Sequence, residues 1–258
     1  MRRHWRVSRE GQDLVLSDSG EPEASLRYEV EVLKRVAATG WPVPRMLEGP
    51  ALLEGRWWTL APFLPGDPPN GDEPARRGRL LAEFHASLDG LASVGQRSGF
   101  RRAELILADP KVELAVAATV RRFPKETAIV RWHWERARNR LEGIDLAARK
   151  GQLVHGDFTA WNLRFVDGGL SAILDFELAH EDHRVAEFCL AWRGKHDAVV
   201  HAYDQVIPLE PEEWSMLTPI WWLYLIDLWC DSPRDDPWIL SKLMQRSPLM
   251  GADRDAFP

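Results

Sequence analysis

The chain has 258 residues, with 33 Lys and Arg against 39 Asp and Glu, for a net charge of −6. That balance argues against a nucleic-acid-binding surface, and no apolar run reaches the ~20 residues that cross a bilayer. A hydrophobic share of 45% supports a real core. The two cysteines, Cys189 and Cys230, have no metal-type spacing and suit a reducing cytoplasm, and the charged start MRRHWRVSRE is not followed by the apolar stretch of a secretory signal.

In chain order, Trp5–Ser8 and Asp13–Ser17 are expected strands joined by a turn at Arg9–Gln12. Ser25–Thr39 is an expected helix with Leu26, Val30, Leu33 and Val36-Ala37 apolar, stopped by Gly40. Trp41–Pro44 is extended, since each proline restricts its predecessor. Two more strands are expected, at Met46–Leu53 and Trp57–Phe63, before the Pro- and Gly-rich Leu64–Gly71. The expected organisation is therefore a small sheet with one helix in residues 1–63 and a larger, mainly helical part in 64–258.

Pro74–Leu91 reads as a helix with Leu80-Leu81, Phe84 and Leu88 on one face. Val94–Asp109 is less regular, while Pro110–Ala118 and Thr127–Arg149 are expected helices. Trp132 and Trp134, two apart, cannot share a helix face, so one belongs to a core. The arginines of Arg131–Arg140 read as a solvated face.

Leu153–Glu177, LVHGDFTAWNLRFVDGGLSAILDFE, is two short strands around a polar loop. Asp167-Gly168-Gly169 has the composition of a tight hairpin turn, which brings Asn162 and Asp175 to one end of the strand pair beside Asp157. The trio suits phosphoryl transfer. Asp175 and the amide oxygen of Asn162 are hard oxygen donors for Mg²⁺, and Asp157 is placed to orient an attacking hydroxyl and take its proton. Turn chemistry alone is the blander account of these residues, because Asp and Asn are common loop formers.

Beyond it, His196–Val206, Glu210–Asp231 and Pro237–Gln245 are expected helices. Trp221–Trp229 is nearly all apolar, so its helix is buried. Asp227 and Asp231, four apart on that helix, must be paired with Arg or Lys or else face a substrate cleft.

The spacing H-x-D-x-x-x-x-N from His155, followed by a hairpin and Asp175-Phe176, resembles the catalytic core of the protein-kinase-like superfamily. Gly156 between His155 and Asp157, and Glu177 after Phe176, are similar to the aminoglycoside phosphotransferase and choline kinase branch, which phosphorylates small molecules. The resemblance implies an α+β, two-lobed kinase-like fold that uses ATP or GTP with Mg²⁺ on a small-molecule hydroxyl acceptor. It makes His155 a supporting residue and Glu177 an assistant to the metal site. Glu29 matches the helix glutamate that pairs with a strand lysine, and Ala61-Pro62-Phe63-Leu64 match the hinge whose backbone binds adenine, with Leu174 joining the nucleotide-binding set. Asp182 falls where the family has an Asp. With Asp227 and Asp231 it is a candidate for holding a cationic acceptor, since acceptor specificity in this family comes from helices after the catalytic core.

Two departures stand out. Ser17 occupies the position of the strand lysine, and only Met1-Arg2-Arg3 precede the first strand where a Gly-rich loop is expected, so Glu29 has no evident partner. Arg2, Arg3, Arg6 and Arg164 are the cations that can stand in, although solvation is the simpler expectation for Arg2 and Arg3 at a chain start. These departures motivate one rival, a kinase-fold binding protein without phosphotransfer. Another is a metal-dependent hydrolase using His155, Asp157, His180, Asp182 and His183, which leaves the spacing of Asn162 and Asp175 unexplained.

Overall fold

The computed structural model describes residues 2–71 and 73–231. Its elements, in order, are β1 (Arg3–Arg9), β2 (Gln12–Ser19), α1 (Glu23–Ala38), β3 (Glu48–Leu53), β4 (Arg56–Pro62), α2 (Pro74–Leu88), α3 (Ala103–Ala108), α4 (Lys111–Thr119), α5 (Pro124–Leu141), β5 (Gln152–Val154), β6 (Leu163–Val166), β7 (Gly169–Ile173), β8 (His180–Asp182), α6 (Phe188–Ala191), α7 (Asp197–Asp204) and α8 (Pro211–Asp231). They form two compact units. Among the described residues, one comprises those up to residue 73 with 83–100 and 152–181, the other 74–82, 101–151 and 182–231.

In the first unit, a four-stranded antiparallel sheet runs in the order β1-β2-β4-β3. The register sets His4 opposite Ser17, and Ser17 in turn opposite Thr59. The buried Asp18 carboxylate accepts from Arg3 and Arg56, which ties β1 and β4 to β2. Helix α1 buries Leu26, Val32, Leu33 and Val36, and ends where Thr39 Oγ1 donates to Val36 O and Gly40 turns to φ +94°. Strands β6 and β7 form a hairpin with Leu163 opposite Ile173 and Val166 opposite Gly169. Its two-residue turn, Asp167-Gly168, has φ +51° and +77°, the positive pair of a type I′ turn whose twist matches the flanking strands. The core of this unit includes Phe84, Phe158 and Phe176, with ring centroids 5.7 and 6.4 Å from Phe84.

In the second unit, α8 packs against α3, α4, α5 and α6. Trp134, Trp192, Trp221, Trp222 and Trp229 are buried there. Trp134 is the core member of the Trp132/Trp134 pair, and Trp132 is half-buried.

Several boundaries differ from expectation. The helix expected over Thr127–Arg149 ends at Leu141. Glu142 turns extended (ψ 128°) and Gly143 takes φ +85°, so Ile144 and Leu146 continue the apolar pattern in turns rather than in helix. The less regular stretch before Asp109 contains the six-residue α3. The helix expected over Pro74–Leu91 stops at Leu88, where Asp89 becomes extended. The expected helix Pro237–Gln245 lies outside the described residues.

Candidate active site

His155-Gly156-Asp157 follows β5. Its glycine is dictated by sterics: φ is +80°, and a Cβ there would lie 2.4 Å from the Leu178 carbonyl oxygen. That close approach lets the loop lie against the segment after Asp175. The buried His155 ring completes the junction, with Nε2 2.9 Å from Leu174 O and Nδ1 3.2 Å from the Asp157 N–H. Nδ1 accepts from the amide, so Nε2 carries the proton and donates. The imidazole thus links the Asp157 loop to Leu174, the residue after β7.

The Asp157 carbonyl accepts from Thr159 N at 2.8 Å and from Asn162 Nδ2 at 2.9 Å, and its Oδ2 accepts from the same Nδ2 at 3.0 Å. With its amide nitrogen spent on Asp157, Asn162 offers only its amide oxygen elsewhere. The backbone of Asn162 is equally fixed, accepting from Leu174 N at 2.8 Å. Asp175 follows in a left-handed conformation (φ +63°), which Asp tolerates better than most residues, and its side chain is exposed. The structure thus brings Asp157, Asn162 and Asp175 together at one end of the hairpin.

Asn162 and Asp175 line a cavity of about 360 Å³ with Arg2, His4, Val15, Ser17, Glu29, Leu33, Ala61, Leu64, Arg164 and Leu174 among its walls. Four nucleotide-binding candidates, Glu29, Ala61, Leu64 and Leu174, line it. Phe63 does not. Its N–H, expected to be a hinge donor, is taken by Asp13 O at 3.0 Å as β4 runs out beside β2, and its ring lies under the Arg6 guanidinium. The donor set at Asn162 and Asp175 is all oxygen, which suits a hard divalent cation. Negative charge accumulates here: burial, and then Asp175, push the half-exposed Glu177 carboxyl up, a strain that a bound cation would relieve.

Glu29 does have a partner. Arg2 Nη1 and Nη2 donate to its two carboxylate oxygens at 2.9 and 2.8 Å, with both side chains largely buried. The expectation that Arg2 is a solvated chain end is corrected by this pair. Burial works against the Arg2 charge, but the Glu29 hydrogen bonds outweigh it and the guanidinium is held more firmly protonated. The sequence carried the signal: strand alternation puts Arg2 and His4 on one face, opposite Ser17. A further buried arginine braces the same region. Arg97, in an irregular stretch, is buried and donates from Nη1 to Phe176 O and Ala179 O and from Nη2 to Ser25 Oγ (3.2, 2.8 and 2.8 Å), tying the segment after Asp175 to α1.

The acceptor candidates are placed differently. Asp182 has no exposed surface; Oδ1 accepts from His183 N at 2.6 Å and Oδ2 from Tyr224 OH. An acid so enclosed braces the chain and does not face a substrate, which corrects the expectation drawn for it. Asp227 is half-buried and paired with Arg101 and, at 3.5 Å, Lys111. The side chain of Asp231, the last residue of α8, lies outside the description. His180 sets Nδ1 against Leu178 O at 2.7 Å, and His183 sets Nε2 3.3 Å from Glu104, so each imidazole of the hydrolase reading has a local structural partner. Among the described residues no helix is long and apolar enough to cross a membrane.

Comparison with known proteins points the same way as the geometry. Two homoserine kinases are similar in sequence. That of Methylobacterium radiotolerans is 28% identical over 232 residues, covering 79% of this chain and 67% of the relative. That of Azorhizobium caulinodans is 26% identical over 224 residues, covering 78% and 66%. The chain thus spans about two thirds of the length of these relatives. Among solved structures, an aminoglycoside phosphotransferase from Alicyclobacillus acidocaldarius superposes with a TM-score of 0.66 at 19% identity, covering 98% of this chain and 87% of that one. A thermostable mutant of aminoglycoside phosphotransferase APH(4)-Ia, in ternary complex with AMP-PNP and hygromycin B, gives 0.69 at 18% identity, covering 94% and 88%. At such identities these structures establish a shared kinase-like α+β fold. The sequence model of the Phosphotransferase enzyme family matches residues 2–207, and this chain belongs to that family.

Proposed function

We propose that the protein is a small-molecule kinase that transfers the γ-phosphoryl group of ATP or GTP to a hydroxyl of an aminated acceptor. The observation that carries this reading is the coupling of Asp157 to Asn162 through one amide, with Asn162 and Asp175 both on the wall of the same cavity. Asp157 takes the proton of the acceptor hydroxyl as its oxygen bonds to the γ-phosphorus and the bond to the departing nucleoside diphosphate breaks. Asn162 and Asp175 would hold Mg²⁺, with Glu177 assisting, and the ion supplies neutralisation of phosphate charge. Ala61, Leu64 and Leu174 form the apolar part of the nucleotide wall. In lobe terms, residues 1–63 supply Glu29 and Ala61 to the nucleotide, and 64–258 supply Leu64 and Leu174 together with the catalytic and acceptor-binding groups.

The aminated acceptor is supported by the two homoserine kinases and by the hygromycin B bound in the fold relative. Among the acids of α8, Asp227 can receive a cationic acceptor only by yielding Arg101 or Lys111.

The test is incubation with Mg²⁺ and ATP or GTP against L-homoserine, hygromycin B and choline, read by mass. Gain of one phosphoryl group on an acceptor, absent in Asp157→Asn, is the expected result. Saturable nucleotide binding with no transfer to any alcohol would favour the binding-protein reading that Ser17 suggests. Hydrolytic activity in Mg²⁺ without nucleotide would favour the hydrolase.

A further inference from the structure

We propose that Arg2 is the phosphate-binding cation of the nucleotide site, buttressed by Glu29, in the place where Ser17 leaves no lysine. This rests on the kinase reading above and adds the group that makes nucleotide binding workable in this chain.

Ser17 cannot supply the missing charge. It is neutral, and its hydroxyl is engaged with His4 Nδ1 at 2.7 Å across the β1–β2 pairing. His4 does not supply it either: burial and then the neighbouring Arg2 lower its pKa, so the ring is neutral. Arg164 lines the cavity, but its Nη1 is directed at Trp161 O and Leu163 O, at 2.6 and 3.0 Å. Arg3 and Arg6 are paired with Asp18 and Asp13.

Arg2 is different. Its fork grips both oxygens of Glu29 with one hydrogen from each Nη, which uses two of five N–H donors. Nε is buried, has no hydrogen bond among the described residues, and lies 4.0 Å from Glu177 Oε2. The side chain lines the cavity that Asn162 and Asp175 also line. A planar guanidinium can hold a carboxylate along one edge and still present N–H groups to a phosphate oxygen, which a lysine ammonium does less directionally. A buried carboxylate thus positions a buried cation, the same division of labour as a lysine–glutamate pair, but with the cation delivered from ahead of β1 rather than from β2.

The experiment is calorimetric titration of adenosine, ADP and ATP into wild type, Arg2→Lys, Arg2→Ala and the neutral pair Arg2→Met with Glu29→Gln. The pair variant avoids leaving Glu29 buried and uncompensated, so it reports even if Arg2→Ala fails to fold. Loss of ADP and ATP affinity by about ten- to a hundredfold in Arg2→Ala and in the pair variant, with adenosine within about twofold of wild type and part of the loss restored in Arg2→Lys, is the expected pattern. Equal weakening of adenosine and ADP would assign Arg2 to packing and overturn the proposal. So would unchanged ADP affinity in the pair variant. Wild type that binds adenosine, ADP and ATP not at all would overturn the kinase reading itself, an outcome separable from the failure of Arg2 alone.

Discussion

The polar groups around Asp175 and those buried against α8 are both richly hydrogen-bonded, yet they differ in what is left over. Around the cavity, Asn162 spends its amide nitrogen on Asp157, Arg2 spends two of its donors on Glu29 while its Nε has no hydrogen bond among the described residues, and Asp175 is exposed, so oxygen and N–H valences are left over among the cavity-lining residues. Against α8 the acids are consumed: Asp182 by His183 and Tyr224, Glu213 by Arg184 and the Glu210 N–H, Asp227 by Arg101 and Lys111. A buried acid in an apolar helix therefore marks a structural pairing as readily as a binding site. Surplus hydrogen-bonding capacity beside a cavity is the more telling sign of chemistry.

The two regions should respond differently to substitution. Asp157→Asn keeps an acceptor for Asn162 Nδ2 but removes the carboxylate proposed as the base. It should lower kcat by about 10²- to 10⁴-fold with nucleotide affinity largely retained, and turnover equal to wild type would remove Asp157 from the role. Tyr224→Phe should act in the opposite sense. It strips one partner from the fully buried Asp182, so urea denaturation should register a loss of about 1–3 kcal/mol while turnover stays within about twofold of wild type. A selective fall in acceptor affinity would place Asp182 back among the acceptor residues.

A smaller effect, read per pH unit, concerns His133 on α5, which stacks on Trp222 with ring centroids 3.4 Å apart. Burial, and then Arg136, push its pKa down to about 3. The unfolded chain binds a proton near pH 6.5 that the folded chain refuses until about pH 3, so stability conferred above pH 6.5 is lost as pH falls through that window. The slope reaches about 1.4 kcal/mol per unit. His133→Phe should flatten the stability profile between pH 6 and 4. An unchanged profile would mean that other groups govern the acid limb.

The β6–β7 hairpin was legible because everything that defines it is local. The Asp167-Gly168 turn, the His155–Asn162 spacing and the return to Asp175 lie within 21 residues, whereas the close backbone approach at Gly156 shows only in the structure. What escaped depends on distant pairing. Arg2 and Glu29 are 27 residues apart, Tyr224 and Asp182 are 42 apart, and Arg97 reaches Ala179 across 82. Nor does composition show that Asp13 claims the Phe63 N–H, since strand register decides it. The α5 overrun has a different origin: the apolar period continues through Ile144 and Leu146 after Gly143 has already turned the backbone.

The proposed occupant of the cavity beside Asn162 and Asp175 is a metal-bound nucleoside triphosphate. The most direct test is the calorimetric affinity for ATP, measured with and without Mg²⁺ on wild type and Asp175→Ala. Saturable binding in wild type that strengthens with Mg²⁺, and that loses this Mg²⁺ dependence in Asp175→Ala, is the predicted result. Absence of binding at millimolar ATP, or an Mg²⁺ response identical in the two proteins, would contradict it.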